Sequence, residues 1–252
     1  LNNKAMKNHK SKVAFPKRVI ALCYLLCVLV GGLTSCSSNS DARLPIWGNR
    51  DAVSTIVNGT QTIDTVYHTI PPFKFVNQYG DTITEATVKG KIYVADFFFT
   101  TCPTICPIMK RQMLKVYQKF KGDPDIVLLS HSIDPDHDTP AVLKKYADEL
   151  GVSGQQWQFL TGNRKAIYDI SNSYLVAQTP EKDSTAAGGF VHDGTFILID
   201  KEGRVRATNE PYTIVDKDGN KNLLSRYDGT TDAGVNQLIK DIEKLRKEYQ
   251  KK

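Results

Sequence analysis

From Lys91 to Phe99 the chain reads Lys-Ile-Tyr-Val-Ala-Asp-Phe-Phe-Phe, an almost unbroken apolar run. Such a run predicts a strand buried on both faces of a sheet. Ahead of it, Phe73 to Val76 and Thr82 to Thr84 flank Asn77-Gln78-Tyr79-Gly80-Asp81, the pattern of a hairpin. Behind it, Met109, Met113, Val116, Tyr117 and Phe120 recur at helical spacing, and the stripe ends near Gly122. Ile126 to Ser130 predicts a second buried strand. Thr139 then caps a helix with Pro140 in its first turn, Val142, Leu143, Tyr146 and Leu150 on its inner face, and Gly151 at its end. Trp157 to Leu160 reads as a strand and Arg164 to Leu175 as a helix. Thr195 to Asp200 reads as a strand that turns at Lys201-Glu202-Gly203 into Arg204 to Ala207. Val235, Leu238, Ile239, Ile242, Leu245 and Tyr249 define a final amphipathic helix. Strands alternating with helices predict an α/β domain over residues 61–252: a central mixed sheet, helices on both faces, parallel crossovers and one antiparallel hairpin near the end.

Upstream the pattern changes character. Basic residues up to Arg18 precede an apolar run from Val19 to Val30, then Gly31 and Gly32. At about 15 residues this run is shorter than the about 20 a spanning helix needs, so residues 1–35 read as an export signal. It closes on Leu33-Thr34-Ser35-Cys36, which resembles the bacterial lipobox and implies that Cys36 receives lipid. Residues 36–60, rich in Ser, Asn, Asp, Gly and Thr, then read as a lipidated cysteine and flexible tether with an r.m.s. span of roughly 25–30 Å. The expected location is the cell envelope, on a membrane and facing the periplasm. Charge supports no other address. The formal net charge of +6 lies entirely in Lys4, Lys7, Lys10, Lys12, Lys17 and Arg18; the 27 basic residues that remain balance the 27 acidic ones. No global field favours nucleic acid.

The signal also decides what the five cysteines mean. Cys23 and Cys27 leave with it, and Cys36 is consumed by lipid. Cys102 and Cys106 remain, in an oxidising compartment, so the pair can act as a dithiol or a disulfide. They sit in Thr100-Thr101-Cys102-Pro103-Thr104-Ile105-Cys106-Pro107, where the central strand hands over to a helix. Sites in open α/β sheets form at such strand ends. A spacing of four puts both sulfurs on one face of a helical turn, with Pro103 tolerated in that turn. The positive end of the helix is expected to favour thiolates. Two thiolates suit Cu(I), whereas structural zinc wants four protein ligands. An inert or simply disulfide-bonded pair is the competing reading. Met109 and Met113 are soft donors, but their helical stripe assigns them to the core.

Several ordered motifs together resemble the SCO/SenC family: Phe-Phe-Phe-Thr-Thr before Cys-Pro-x-x-Cys-Pro, Ser132-Ile133-Asp134-Pro135-Asp136-His137-Asp138-Thr139-Pro140, Trp157-Gln158-Phe159-Leu160-Thr161-Gly162, and Val191-His192-Asp193 before Thr195 to Asp200. The resemblance runs from about Pro71 to the C-terminus. It implies a thioredoxin-like fold in its peroxiredoxin-like variant and copper, as Cu(I) or Cu(II), bound by the two cysteines and a distant histidine. It also implies service to the copper-bearing subunit of cytochrome c oxidase, and His192 matches the histidine ligand. In ordinary thioredoxin-like proteins a cis-proline precedes the strand that Thr195 to Gly203 resembles; here no proline does, and a histidine stands just upstream. Asp134 matches an acidic residue near the cysteines, suited to orienting a ligand or tuning the thiols, or else to a turn. His131 and His137 read as surface positions or neighbours of the ligands, and His68 has no role. One departure is an extra stretch between Thr208 and Ser225, before Tyr227-Asp228-Gly229-Thr230, which reads as a hairpin. The protein is expected to be a monomeric copper metallochaperone. The alternative is a thiol–disulfide oxidoreductase that reduces its partner's copper-ligand cysteines without carrying metal.

Overall fold

The computed structural model describes residues 43–58, 60–176, 194–215 and 219–250. The apolar run becomes the centre of the sheet. β3 (Lys74–Asn77) and β4 (Thr82–Thr84) form the expected hairpin, followed by a single helical turn, α1 (Glu85–Val88). β5 (Ile92–Phe98) is buried at every position. After it come α2 (Cys106–Lys119), β6 (Ile126–Ser132), α3 (Pro140–Glu149), β7 (Trp157–Thr161) and α4 (Arg164–Ser173). The chain then runs through β8 (Thr195–Ile199) and β9 (Val205–Arg206) to α5 (Asp232–Gln250). β5, β6 and β7 are parallel neighbours, while β8 joins β5 antiparallel and β3 joins β7 antiparallel. With β12 (Tyr227–Asp228) on β8, the sheet runs β12-β8-β5-β6-β7-β3-β4, with β9 also paired to β8. Thr139 caps α3 as expected, its side chain accepting the Val142 N–H.

Two hairpins stand outside this sheet. The extra stretch forms β10 (Tyr212–Val215) and β11 (Lys221–Leu224), an antiparallel pair as predicted. The other was not expected. β1 (Arg50–Val57), within the stretch that reads as tether, pairs along its full length with β2 (Thr60–Tyr67), at the start of the expected domain. The segment before them is packed as well: Leu44 is buried, Ile46 bridges Arg206, and the Trp47 N–H donates to the Val205 carbonyl at 2.8 Å. Arg206 reinforces this by donating to the Leu44 carbonyl and to Glu248. From residue 43 on, the stretch expected to be flexible up to residue 60 is therefore largely built into the fold. Cys36 and the signal lie outside the described residues.

His131 is not a surface residue. It is fully buried, stacked on Phe97 at 5.2 Å and edge-on to Phe75 at 5.1 Å, with neither ring nitrogen hydrogen-bonded. Burial alone pushes its pKa down to about 3. The native state therefore holds a neutral imidazole, while the unfolded chain takes up a proton below about pH 6.5. Stability tied to this group is complete above pH 6.5 and falls as the pH drops toward 3. At pH 4.5 the loss amounts to about 2–3 kcal/mol, from about two pH units at 1.4 kcal/mol each. His131→Phe should remove this loss and move the acid-unfolding midpoint, followed by circular dichroism, to lower pH. An unmoved midpoint contradicts the account.

Candidate metal centre

β5 carries the chain to Phe99 and Thr100, and the cysteine loop leaves from there. The Cys102 N–H turns back to the Phe99 carbonyl at 3.3 Å. α2 begins only at Cys106, with Ile105 as its N-cap and Pro107 in the first turn. Pro103 thus lies in the turn before the helix, and the pair straddles the helix start instead of sharing a helical turn. Both cysteines are reduced and buried, 6% and 3% exposed. Cys102 Sγ lies 3.6 Å from Thr104 Oγ1.

The helix terminus does not prevail over the surroundings. The Cys106 thiol is pushed far up, first by its hydrogen bond to Cys102 and then by burial; a backbone hydrogen bond at Phe99 opposes this, and the negative charges of Cys102 and Asp96 add to it. Two sulfurs this close share a proton because two adjacent negative charges in a buried site are costly. The expectation of ready thiolates is therefore corrected for Cys106. A soft cation replacing that shared proton relieves the same repulsion.

Three residues around the pair were not singled out as site residues from the sequence. Asp96, from the middle of β5, accepts from Ser130 Oγ at 2.5 Å, and Ser130 Oγ in turn accepts from Trp157 Nε1 at 2.9 Å. Its one visible signal was a carboxylate inside a run buried on both faces. Tyr146 packs on Phe98 and Phe159; its phenol is pushed up by burial and then by the charges of Cys106, Asp96, Asp138 and Cys102. Asp138, fully buried, holds the start of the cysteine loop. It accepts from the Thr100 N–H at 3.1 Å, from Thr100 Oγ1, from Ser132 Oγ at 2.5 Å, and pairs with His137 Nδ1 at 2.9 Å. His137 is half exposed.

Asp134 faces elsewhere. Its carbonyl accepts from the His137 and Asp138 amides, and its carboxylate lies 3.5 Å from Arg164. Met109 and Met113 are buried in the core, as expected. Among the described residues no group of three or more His, Cys, Asp and Glu could hold a metal ion. His192 lies outside the described residues, but its near neighbour Gly194 is inside them. A Cβ added at Gly194 would lie 3.6 Å from Ile105 Cδ1, within the cysteine loop.

A reduced dithiol at the end of a central strand, in a mixed sheet flanked by helices, defines a thioredoxin-like α/β protein. The family model described as SCO1/SenC matches residues 61–217, and the chain belongs to that family. The SCO1 protein homolog of Bacillus subtilis is 31% identical over 189 residues, covering 73% of this chain and 86% of that protein. A SCO1/SenC family lipoprotein from Bacillus anthracis has a similar structure, with a TM-score of 0.57 at 29% identity over 71% of this chain and 95% of that one. So has BsSco, described as having a disulfide switch and as a member of the Sco family of cytochrome c oxidase assembly proteins, with a TM-score of 0.54 at 28% identity over 71% and 93%. Bradyrhizobium japonicum ScoI with copper bound shares the fold at 22% identity and a TM-score of 0.50, over 70% of this chain and 99% of that one.

Asp138→Ala should cost about 1–3 kcal/mol in denaturant unfolding, because it leaves the buried Ser132 hydroxyl and the half-buried Thr100 amide without their acceptor. It should also speed alkylation of Cys102 and Cys106 in the folded protein. Unchanged alkylation would show that the carboxylate does not hold the loop.

Proposed function

We propose that this protein is a lipid-anchored, periplasm-facing copper metallochaperone. Cys102 and Cys106 hold copper together with His192, and the cargo passes to the copper-bearing subunit of cytochrome c oxidase. The observation that carries this reading is the hydrogen-bonded, buried thiol pair at the start of α2 with Gly194 packed toward Ile105. Paired sulfurs plus one imidazole make a small, soft donor set that fits copper, and zinc in a structural site would want a fourth ligand. Membership of the SCO1/SenC family supports the oxidase as destination, and likeness to a family lipoprotein supports Cys36 as the anchor point.

Thiol–disulfide exchange is the second reading, favoured by a reduced pair beside a helix start in this fold. Attack on a disulfide needs an accessible thiolate. Here both sulfurs are buried, and the Cys106 thiol is pushed up by its hydrogen bond to Cys102 and by burial, which weighs against attack from Cys106. The same features cost a metal carrier little, because the incoming ion displaces the proton. Asp134 would act at a distance through Arg164 and the turn it closes, steadying the Asp138 segment.

Titration of the reduced protein with Cu(I) against a competing chelator tests the assignment. Cys102→Ser and Cys106→Ser should each abolish tight binding. His192→Ala should weaken it at least about tenfold, the scale on which even outer partners of metal sites act. An affinity unchanged by His192→Ala and by Cys102→Ser rejects the metallochaperone.

A further inference from the structure

The β1–β2 ribbon follows Cys36 closely in the sequence. Only six residues lie between Cys36 and Arg43, so the two are at most about 25 Å apart along extended chain. The ribbon itself is a two-stranded sheet standing apart from the main one. Such hairpins are marginal in water without a surface to pack on. Opposed residues of an antiparallel pair share a face, and faces alternate along each strand. One face accordingly carries Arg50 with Tyr67, Ala52 with Thr65, Ser54 with Ile63, and Ile56 with Gln61. The other carries both acids of the ribbon, Asp51 and Asp64. On the acid-free face Ile56 is 76% exposed and Ile63 is 74% exposed.

The base of that face opens into a basic cavity. Arg50 and Tyr67 line a space of about 360 Å³ together with Arg43, Arg204, Arg206, Tyr249 and one acid, Glu248, which is paired with Arg206. Arg204 and Arg206 are engaged by Asp200, Glu202 and Glu248, whereas Arg43 and Arg50 are exposed. Cationic residues at the base and isoleucines toward the tip, with no acid between them, match an anionic lipid surface: guanidiniums at the phosphates, apolar side chains in the interfacial layer.

We propose that this face of the ribbon, with Arg43 and Arg50, lies on the bilayer that holds the anchor. The proposal rests on Cys36 bearing the lipid. It also sets the orientation of the metal centre. Arg204 follows the turn after β8, at the end of the sheet where Ile199 pairs with Tyr93. The cysteine loop leaves the opposite end of β5, about 20 Å away along seven residues of strand. With the ribbon on the membrane, Cys102 and Cys106 point into the periplasm.

The test uses the full lipidated chain in vesicles of phosphatidylcholine, with or without one quarter phosphatidylglycerol, both with brominated acyl chains. Trp47→Phe with Ile63→Trp places a reporter indole on the face, the other tryptophan, Trp157, being buried in the core. The reporter should be quenched at least about twofold more in the anionic vesicles. Adding Arg43→Glu and Arg50→Glu should abolish the difference while leaving the melting temperature unchanged, since both sites are exposed. Equal quenching in the two compositions, or quenching indifferent to charge reversal, overturns the proposal. So does slow amide exchange over residues 50–67 that depends on protein concentration without vesicles, which would assign the face to a second copy. Failure to float with neutral vesicles would overturn it differently, by removing the anchor at Cys36.

Discussion

The site depends on one buried carboxylate. Asp138 gathers the Thr100 amide and hydroxyl, the Ser132 hydroxyl and the His137 ring, and so ties the end of β5 to the end of β6 and to the start of α3. A carboxylate without solvent exposure survives only when its oxygens are occupied, and here every donor comes from the segments it must hold together. Between Thr100 and Ile105 the loop has few backbone bonds of its own, chiefly the Cys102 amide to Phe99. Its course is therefore set at its two ends: by Asp138 at Thr100, and by the first turn of α2 at Ile105 and Cys106. The separation of the sulfurs is a consequence of those two anchors.

Beneath the loop a second polar line runs through the sheet from Trp157 through Ser130 to Asp96. It places a negative charge within influence of Cys106 from inside an otherwise apolar layer. That charge disfavours a thiolate and favours a cation bound between the sulfurs. For Cys106 the pocket therefore opposes the bare thiolate, whose charge a bound cation would offset as a proton does.

The sheet was legible because burial leaves a period. β5, β6 and α2 each carry an apolar pattern that matches the expected element, and Thr139 and Gly151 mark the limits of α3 through capping chemistry. What was not legible lacks such a signal. Residues 43–60 are polar and weakly periodic because backbone pairing holds them, through Ile46, Trp47 and the full ladder of β1 with β2. Hydrogen bonds of that kind leave no hydrophobic trace. In a strand buried on both faces alternation disappears, so nothing distinguished a core histidine at 131 from one beside the site. The start of α2 could not be read from cysteine spacing, because a turn closed by the Phe99 carbonyl precedes it. The two cysteines were legible for a different reason: the described residues contain no others.

The start of β8 is held by packing of its own. The Gly229 amide donates to the Gly194 carbonyl at 2.8 Å, and a Cβ at Gly229 would lie 2.6 Å from the Phe196 ring, so only glycine permits this contact. Asp228 holds Thr230 through its carboxylate, and its own amide donates to the Tyr212 hydroxyl at the base of the inserted hairpin. The inserted hairpin is thereby joined to the point where the chain arrives from His192. Opposite it, Asp138 fixes the cysteine loop. The cysteine loop and the start of β8 are thus held by separate polar anchors, Asp138 for the one and Asp228 with Gly229 for the other.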